Sequence, residues 1–245
     1  MRIYRIFYPE VSTQKSTIVL NTETSHYLIR VLRHKLDNQI ILFNNLDGFE
    51  YLARITDTNP KKTTLNILSF SKKNNESPIR IQVFQALSKG NKLETVIQKA
   101  TEMGINELTP MFTENIDYKL ATEGLANKLK HWQKIAISAC EQSGRVFVPK
   151  IHYPLKLANA LQINADIKLF LSPHSNNQVS HLHQTHLNAQ NFAVYIGPEG
   201  GFSSTEEKLA ISYQCLSVQL GARILRTETA PLAMISILQI LWGDY

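Results

Sequence analysis

Hydrophobic and polar positions change rhythm once along this chain. Up to about residue 70 the apolar residues come in short β-prone runs, at 3–7, 17–20, 39–43, 49–55 and 63–70, which predict strands. The Asn44–Gly48 stretch between two of them predicts a hairpin loop. One helical pattern interrupts at 23–34, where Tyr27, Leu28, Val31 and Leu32 share a face, and that spacing predicts Tyr27 packed into a core. Arg30, Arg33, His34 and Lys35 point elsewhere. The first third thus predicts a small β-barrel with one helix.

Beyond residue 78 the rhythm alternates. Strands are predicted at 80–87, 107–112, 167–171, 192–196 and 216–220, several of them continuous apolar runs of the kind buried on both faces. Helices are predicted at 91–103 (Leu93, Val96, Ile97 and Ala100 inward), 127–142 (Leu129, Trp132, Ile135, Ala136 and Ala139 on one side), 205–212 and 231–242. Such alternation predicts an α/β domain with a mostly parallel sheet wrapped by helices. Residues 71–78 are polar and end in Pro78, which places the boundary between a domain at 1–72 and another at 73–245.

Charge sharpens that division. The net charge is +6 over 245 residues, but residues 1–75 hold eleven Lys/Arg against six Asp/Glu, while the remainder is near neutral. A basic module beside a near-neutral one suits polyanion binding next to catalysis, or a solvated basic surface. Cys140 and Cys215 form no CxxC pair and point to a reducing compartment. The N-terminus lacks a signal-like apolar stretch, and the apolar run at 232–242 is too short for a bilayer. A cytoplasmic protein without membrane partners is expected.

The candidate chemistry sits where two strands end. The strand at 192–196 runs into Gly197-Pro198-Glu199-Gly200-Gly201, followed by two overlapping capping boxes, Ser203/Glu206 and Ser204/Glu207. Ligands of open α/β sheets bind at such strand ends, and glycines admit close backbone approach. The loop matches neither GxGxxG nor the Walker pattern, so a phosphate cradle is the weaker functional reading. About 20 residues later the strand at 216–220 runs into Gly221-Ala222-Arg223-Ile224-Leu225-Arg226-Thr227-Glu228-Thr229-Ala230-Pro231. Thr229 is the expected cap of a helix carrying Pro231 in its first turn. That helix is apolar nearly all round and expected to be buried, so the polar segment entering it needs partners, which a ligand can supply.

These two loops together resemble the paired cofactor motifs of SPOUT methyltransferases, and in wording the RsmE family of 16S ribosomal RNA (uracil-N3)-methyltransferases. Lys99-Ala100-Thr101-Glu102-Met103-Gly104, the segment from Ala139 to Arg145 with Pro149 after it, and the PUA-like His26–Arg33 stretch are similar too. The resemblance spans nearly the whole chain; 173–190 matches nothing in it. It implies an N-terminal PUA-like RNA-binding domain, a C-terminal trefoil knot and a homodimer. The implied cofactor is S-adenosyl-L-methionine, and the implied partner is 16S rRNA within the 30S subunit. Carried over by position, Leu171, Ile196, Gly197, Glu199, Gly200, Gly201, Leu220, Gly221, Ile224, Leu225, Arg226 and Ala230 are expected at the cofactor.

Removing the N3 proton of uridine, or stabilising the anion, asks for a carboxylate or a cation. Arg145, Glu102, Gln142 and Arg226 are the catalytic candidates, with Glu141 and Glu228 beside them. For Arg145 a structural ion pair is an equal alternative. Arg2, Arg5, Arg30, Arg33 and Lys35 are the expected RNA contacts, with Tyr4 a stacking surface. The histidines 174, 181, 183 and 186 carry metal-like spacing in a polar stretch without nearby cysteine, which favours a solvated surface, and no metal is expected. Two rival readings stay open: a SPOUT enzyme with another RNA substrate, and a non-catalytic assembly factor that binds RNA with the same fold.

Overall fold

The computed structural model describes residues 3–73, 75–88, 90–115, 122–175, 177 and 179–245. The chain separates into two compact units, Met1–Glu76 with Cys140–Phe147, and Ser77–Ala139 with Val148–Tyr245.

The first unit is built on strands β1 (Tyr4–Phe7), β2 (Thr17–Val19), β3 (Gln39–Phe43), β4 (Phe49–Asp57) and β5 (Thr64–Lys72), ordered β1-β3-β4-β5-β2. β1 and β3 pair in parallel and the remaining neighbours antiparallel. Alternation in β4 sends Tyr51, Ala53 and Ile55 inward, where they meet Ile6, Ile40, Leu42 and Leu65. Segment 140–147 is tied to β1: the Arg5 guanidinium donates to the Cys140 carbonyl at 2.7 Å and the Arg145 carbonyl at 3.0 Å. The Phe7 N–H donates to the Glu141 carboxylate at 3.0 Å.

The helix expected at 23–34 is α-helical only over α1 (Thr22–His26), capped by the Asn21 side chain; it then widens into a π-helical turn, Tyr27–Val31. The widening corrects the expected face. Each residue of a π-turn advances less far around the axis, so positions four apart no longer align with the core. Leu28 is buried with Ile29 and Leu32 against the core, whereas Tyr27 is 41% and Val31 57% exposed.

The second unit carries β6 (Arg80–Ala86), β7 (Glu107–Phe112), β8 (Lys150–Ile151), β9 (Leu155–Lys156), β10 (Ile167–Leu171), β11 (Asn191–Ile196) and β12 (Leu216–Val218). Their order is β12-β10-β11-β6-β7-β8, with β9 also on β7, and every pairing is parallel. The apolar runs serve both faces. Ile81, Val83, Phe192, Val194 and Ile196 join one cluster with α2 (Lys92–Glu102), α3 (Thr122–Ser143) and α7 (Thr229–Leu241). Phe84, Phe170, Ala193 and Tyr195 join another with α4 (Leu157–Ala160) and α6 (Ser204–Ser212). A short α5 (Val179–Thr185) precedes β11.

Two expectations about α7 are corrected. Its N-cap is Glu228, whose side chain makes no cap bond, because Thr229 already lies in the first turn with its N–H on the Arg226 carbonyl. Nor is the helix buried all round: Met234, Ile235 and Leu238 face the core, but Ile240 is 63% exposed. The polar Gln239 is buried and satisfied, donating to the Met103 carbonyl at 2.9 Å and accepting from the Ser77 hydroxyl at 2.7 Å.

Candidate active site

Parallel pairing puts the carboxyl ends of β12, β10, β11 and β6 on one edge, with Leu171 beside Val218 and Ile196 beside Gln85. The loops leaving that edge enclose a cavity of about 540 Å³. It falls within the range that holds small cofactors. Leu171, Ile196, Gly197, Glu199, Gly200, Gly201, Leu220, Gly221, Ile224, Leu225, Arg226 and Ala230 all line it.

The first loop is closely built. A Cβ on Gly197 would stand 3.1 Å from the Phe202 ring, which itself stacks on Phe170 at 4.0 Å between centroids. Gly201 has φ +69°, and its N–H closes a turn onto the Pro198 carbonyl at 2.9 Å. The Asn115 amide donates to the Gly201 carbonyl at 3.2 Å. Ser203 and Glu206 form a full capping box that fixes the start of α6. The second expected box does not form; Glu207 instead accepts from the buried Ser172 hydroxyl at 2.9 Å.

The second loop is anchored mainly at its ends. Gln219 N–H donates to the Asn177 carbonyl at 3.1 Å, and the Thr227 hydroxyl donates to the Gly197 carbonyl at 2.8 Å. Between them Ile224 is 85% exposed, and Arg223 and Arg226 are exposed with no ion pair among the described residues. Lys92 and Glu199 pair at 2.5 Å on the cavity wall. The cavity therefore has apolar sides and an unneutralised cationic edge.

The remaining candidates lie elsewhere. Glu102 is ion-paired to Lys99 at 2.9 Å and does not line the cavity. Glu228 lies next to the cavity loop, with one carboxylate oxygen enclosed and unpartnered. Glu141, Gln142 and Arg145 belong to the first unit. Arg145 is 4% exposed and grips Glu76 through Nε at 3.0 Å and Nη2 at 2.7 Å. Burial raises the Glu141 carboxyl above its ordinary range, against the Phe7 N–H and Arg5, which lower it.

Of the expected RNA contacts, Arg30, Arg33 and Lys35 are exposed without ion pairs among the described residues. Arg5 is turned inward, bonded to Glu50 at 2.9 Å and lying over Phe43. Arg2 lies outside the described residues, as does the His181 side chain. Tyr4 is 48% exposed and meets His34 edge-on at 5.0 Å. His183 packs edge-on against Trp242, and among the described residues no three His, Cys, Asp or Glu gather to hold a metal.

Sequence reasoning missed Lys92, Ser172, Pro173, His174, Pro198, Val218, Gln219, Arg223 and Thr227 as cavity residues. Arg223 and Thr227 were within reach, since they lie inside the second loop. Lys92 and His174 carried no local signal; only the sheet brings them to the site.

Residues 75–239 match the RNA methyltransferase domain family, and residues 20–68 the RNA methyltransferase PUA domain. Ribosomal RNA small subunit methyltransferase E of Buchnera aphidicola (subsp. Acyrthosiphon pisum) is 36% identical over 248 residues, covering 100% of this chain and 96% of the relative. The Bacillus subtilis protein of the same name is 29% identical, covering 93% of each. Among solved structures, the Neisseria gonorrhoeae protein of that name, bound to S-adenosyl methionine, superposes with a TM-score of 0.91 at 32% identity over 100% of both chains. No helix among the described residues is long and apolar enough to cross a membrane. Full-length similarity at this level, on a parallel sheet whose strand-end loops enclose one cavity, places the chain in the ribosomal RNA small subunit methyltransferase E family.

Proposed function

We propose that the strand-end cavity holds S-adenosyl-L-methionine and that the chain methylates N3 of one uridine in 16S rRNA within the 30S subunit. The observation that carries this reading is the convergence of the loops at 197–201 and 220–230 on one cavity with apolar walls. Relatives of the same length bear the small-subunit methyltransferase name, and the Neisseria relative was solved with the cofactor.

The donor set fits the group. Leu171, Ile196, Leu220, Ile224 and Leu225 offer aliphatic faces for an adenine ring, and Gly200 and Gly221 bring the backbone to the cavity wall without a side chain. When bound, the cofactor supplies an electrophilic methyl group on a sulfonium. The protein's part is largely alignment of the acceptor with that methyl. Before N3 can accept a methyl group its proton must pass to solvent, and the uracil oxygens then carry a negative charge for the protein to hold. Arg226, exposed and unpaired at the cavity edge, is assigned to that charge. Arg145 is the weaker assignment, because Glu76 already neutralises it.

Residues 1–72 are read as the PUA-like RNA-binding domain, with Arg30, Arg33 and Lys35 on phosphates, and residues 73–245 as the methyltransferase domain with its C-terminal knot. The chain is read as a cytoplasmic homodimer; the exposed Ile224, Ile240 and Tyr245 supply apolar surface for a second copy. Transfer of labelled methyl groups to small subunits, large subunits and tRNA, each purified from a strain lacking the gene, tests the reaction. Label at one uridine N3 is expected; label only in tRNA or 23S rRNA, or none, overturns it.

A further inference from the structure

We propose that Gln85 is a positioning residue for the cofactor cavity, acting through the Thr227 hydroxyl on the carbonyl of Gly197; the inference rests on the reading that this cavity holds S-adenosylmethionine. Gln85 sits near the end of β6, flanked in the sheet by Ile196 of β11 and Pro110 of β7. It is 1% exposed, in a strand end whose neighbours Phe84 and Ala86 are apolar and buried. Burying an amide there is unfavourable unless it is hydrogen-bonded.

The bonds it makes run in one direction. Gln85 Nε2 donates to Thr227 Oγ1 at 2.9 Å, and Thr227 Oγ1 donates to the Gly197 carbonyl at 2.8 Å. A longer contact of 3.4 Å from the same Nε2 to the Ala86 carbonyl fixes the amide's orientation, since the flipped amide would set oxygen against oxygen. The single proton of Thr227 is therefore committed to Gly197, and each bond polarises the next. Three segments far apart in sequence are joined: the end of β6, the exit of β11 and the second loop.

Gly197 has no side chain of its own with which to fix its peptide plane. What orients that plane is the adjoining strand, the Phe202 ring and this bond. The plane in turn sets the course of residues 198–201, which line the cavity. A second observation argues against a merely space-filling role. Gln85 Oε1 is enclosed and has no partner among the described residues, so an aliphatic side chain of similar volume would fill the place without that penalty. The donor end accounts for an amide at this position.

The test uses the full chain with Gln85→Met, Thr227→Val, the double variant and Thr227→Ser. Calorimetry with S-adenosylmethionine is expected to show affinity weakened about tenfold in each of the first two, from loss of one buried hydrogen bond. The double variant should be no weaker than the worse single, because both cut the same relay. Thr227→Ser, which keeps the hydroxyl, should bind within about twofold of wild type. KM for the RNA substrate should not move. Amide hydrogen exchange at Glu199–Gly201, measured without ligand, should rise in Thr227→Val and Gln85→Met but not in Thr227→Ser.

Unchanged affinity in Thr227→Val, equal loss in Thr227→Ser, or additive losses in the double variant overturn the relay. If Gln85→Met fails to fold, the serine and valine pair decides alone. If wild type binds no cofactor, the cofactor reading fails by itself, and the relay stands or falls on the exchange pattern.

Discussion

The two loops that wall the cavity are built on opposite terms. Residues 197–201 are held from within and beneath: a glycine turn, the Asn115 amide, the stacked Phe202 and a capping box each fix part of the path. Residues 220–226 are held at their ends and expose Ile224 at 85%, with two exposed arginines nearby that form no ion pair among the described residues. A closely built loop needs no ligand to keep its shape. An exposed apolar side chain among free cations is better explained by what comes to cover it. The first loop is therefore the closely held half of the site, and under the proposed function the second is the half left open to RNA and a second copy of the chain.

The largest effect separates chemistry from stability on the open loop. Arg226→Ala should lower kcat by about 100-fold, the scale for removing one donor to a developing anion. It should leave Tm nearly unchanged, because the side chain is exposed with no ion pair to lose among the described residues. A fall in Tm with unaltered kcat would break the assignment. On the built loop, a Cβ at Gly197 would stand 3.1 Å from the Phe202 ring, which must give by a few tenths of an ångström; Gly197→Ala should cost about 1–3 kcal/mol of stability and, by shifting the loop, weaken cofactor affinity by roughly tenfold or more in calorimetry. Gly221→Ala sharpens the contrast. Its φ of +87° makes a side chain strained, yet nothing lies within 4 Å, so a smaller loss of about tenfold is expected, from roughly 1–2 kcal/mol of backbone strain.

Much of this fold was legible because parallel strands buried on both faces leave unbroken apolar runs. β7 and β10 have the predicted bounds, and β6 and β11 differ by one residue. The two-residue β8 and β9 and the single turn of α4 are too short for any period to show. The π-turn escaped for a different reason: counting by threes and fours assumes α-helical spacing, so Tyr27 and Val31 were assigned to the core they face away from. At the site, the glycine loops announced themselves by composition. Lys92 and His174 reach the cavity only through the pairing of strands far apart in sequence, which no local pattern encodes.

Smaller effects probe the surroundings of the two loops. Ile240→Asp, which charges an exposed apolar residue away from the cavity lining, should weaken self-association by about tenfold or more in sedimentation, with cofactor affinity little changed. Undiminished association would place the interface elsewhere. Glu141→Gln is a control away from both loops. Burial raises the Glu141 carboxyl, so the folded state holds its proton more tightly than the unfolded chain does. Its charge therefore lowers stability as pH rises through and above the carboxylate range. The glutamine keeps an acceptor for the Phe7 N–H and should raise Tm by about 2–4 °C at pH 8, as one kcal/mol would in a chain of this size. The difference should vanish near pH 3.5, below the ordinary glutamate value of about 4.3. A difference that grows as pH falls would reverse the sign of the argument.

The most direct measurement is a crystal structure of the chain grown with S-adenosylmethionine. The account predicts cofactor density touching both Gly197–Gly201 and the loop from Leu220 to Arg226 in one cavity. Density that meets only one of these loops, or that lies at another place on the chain, would contradict it.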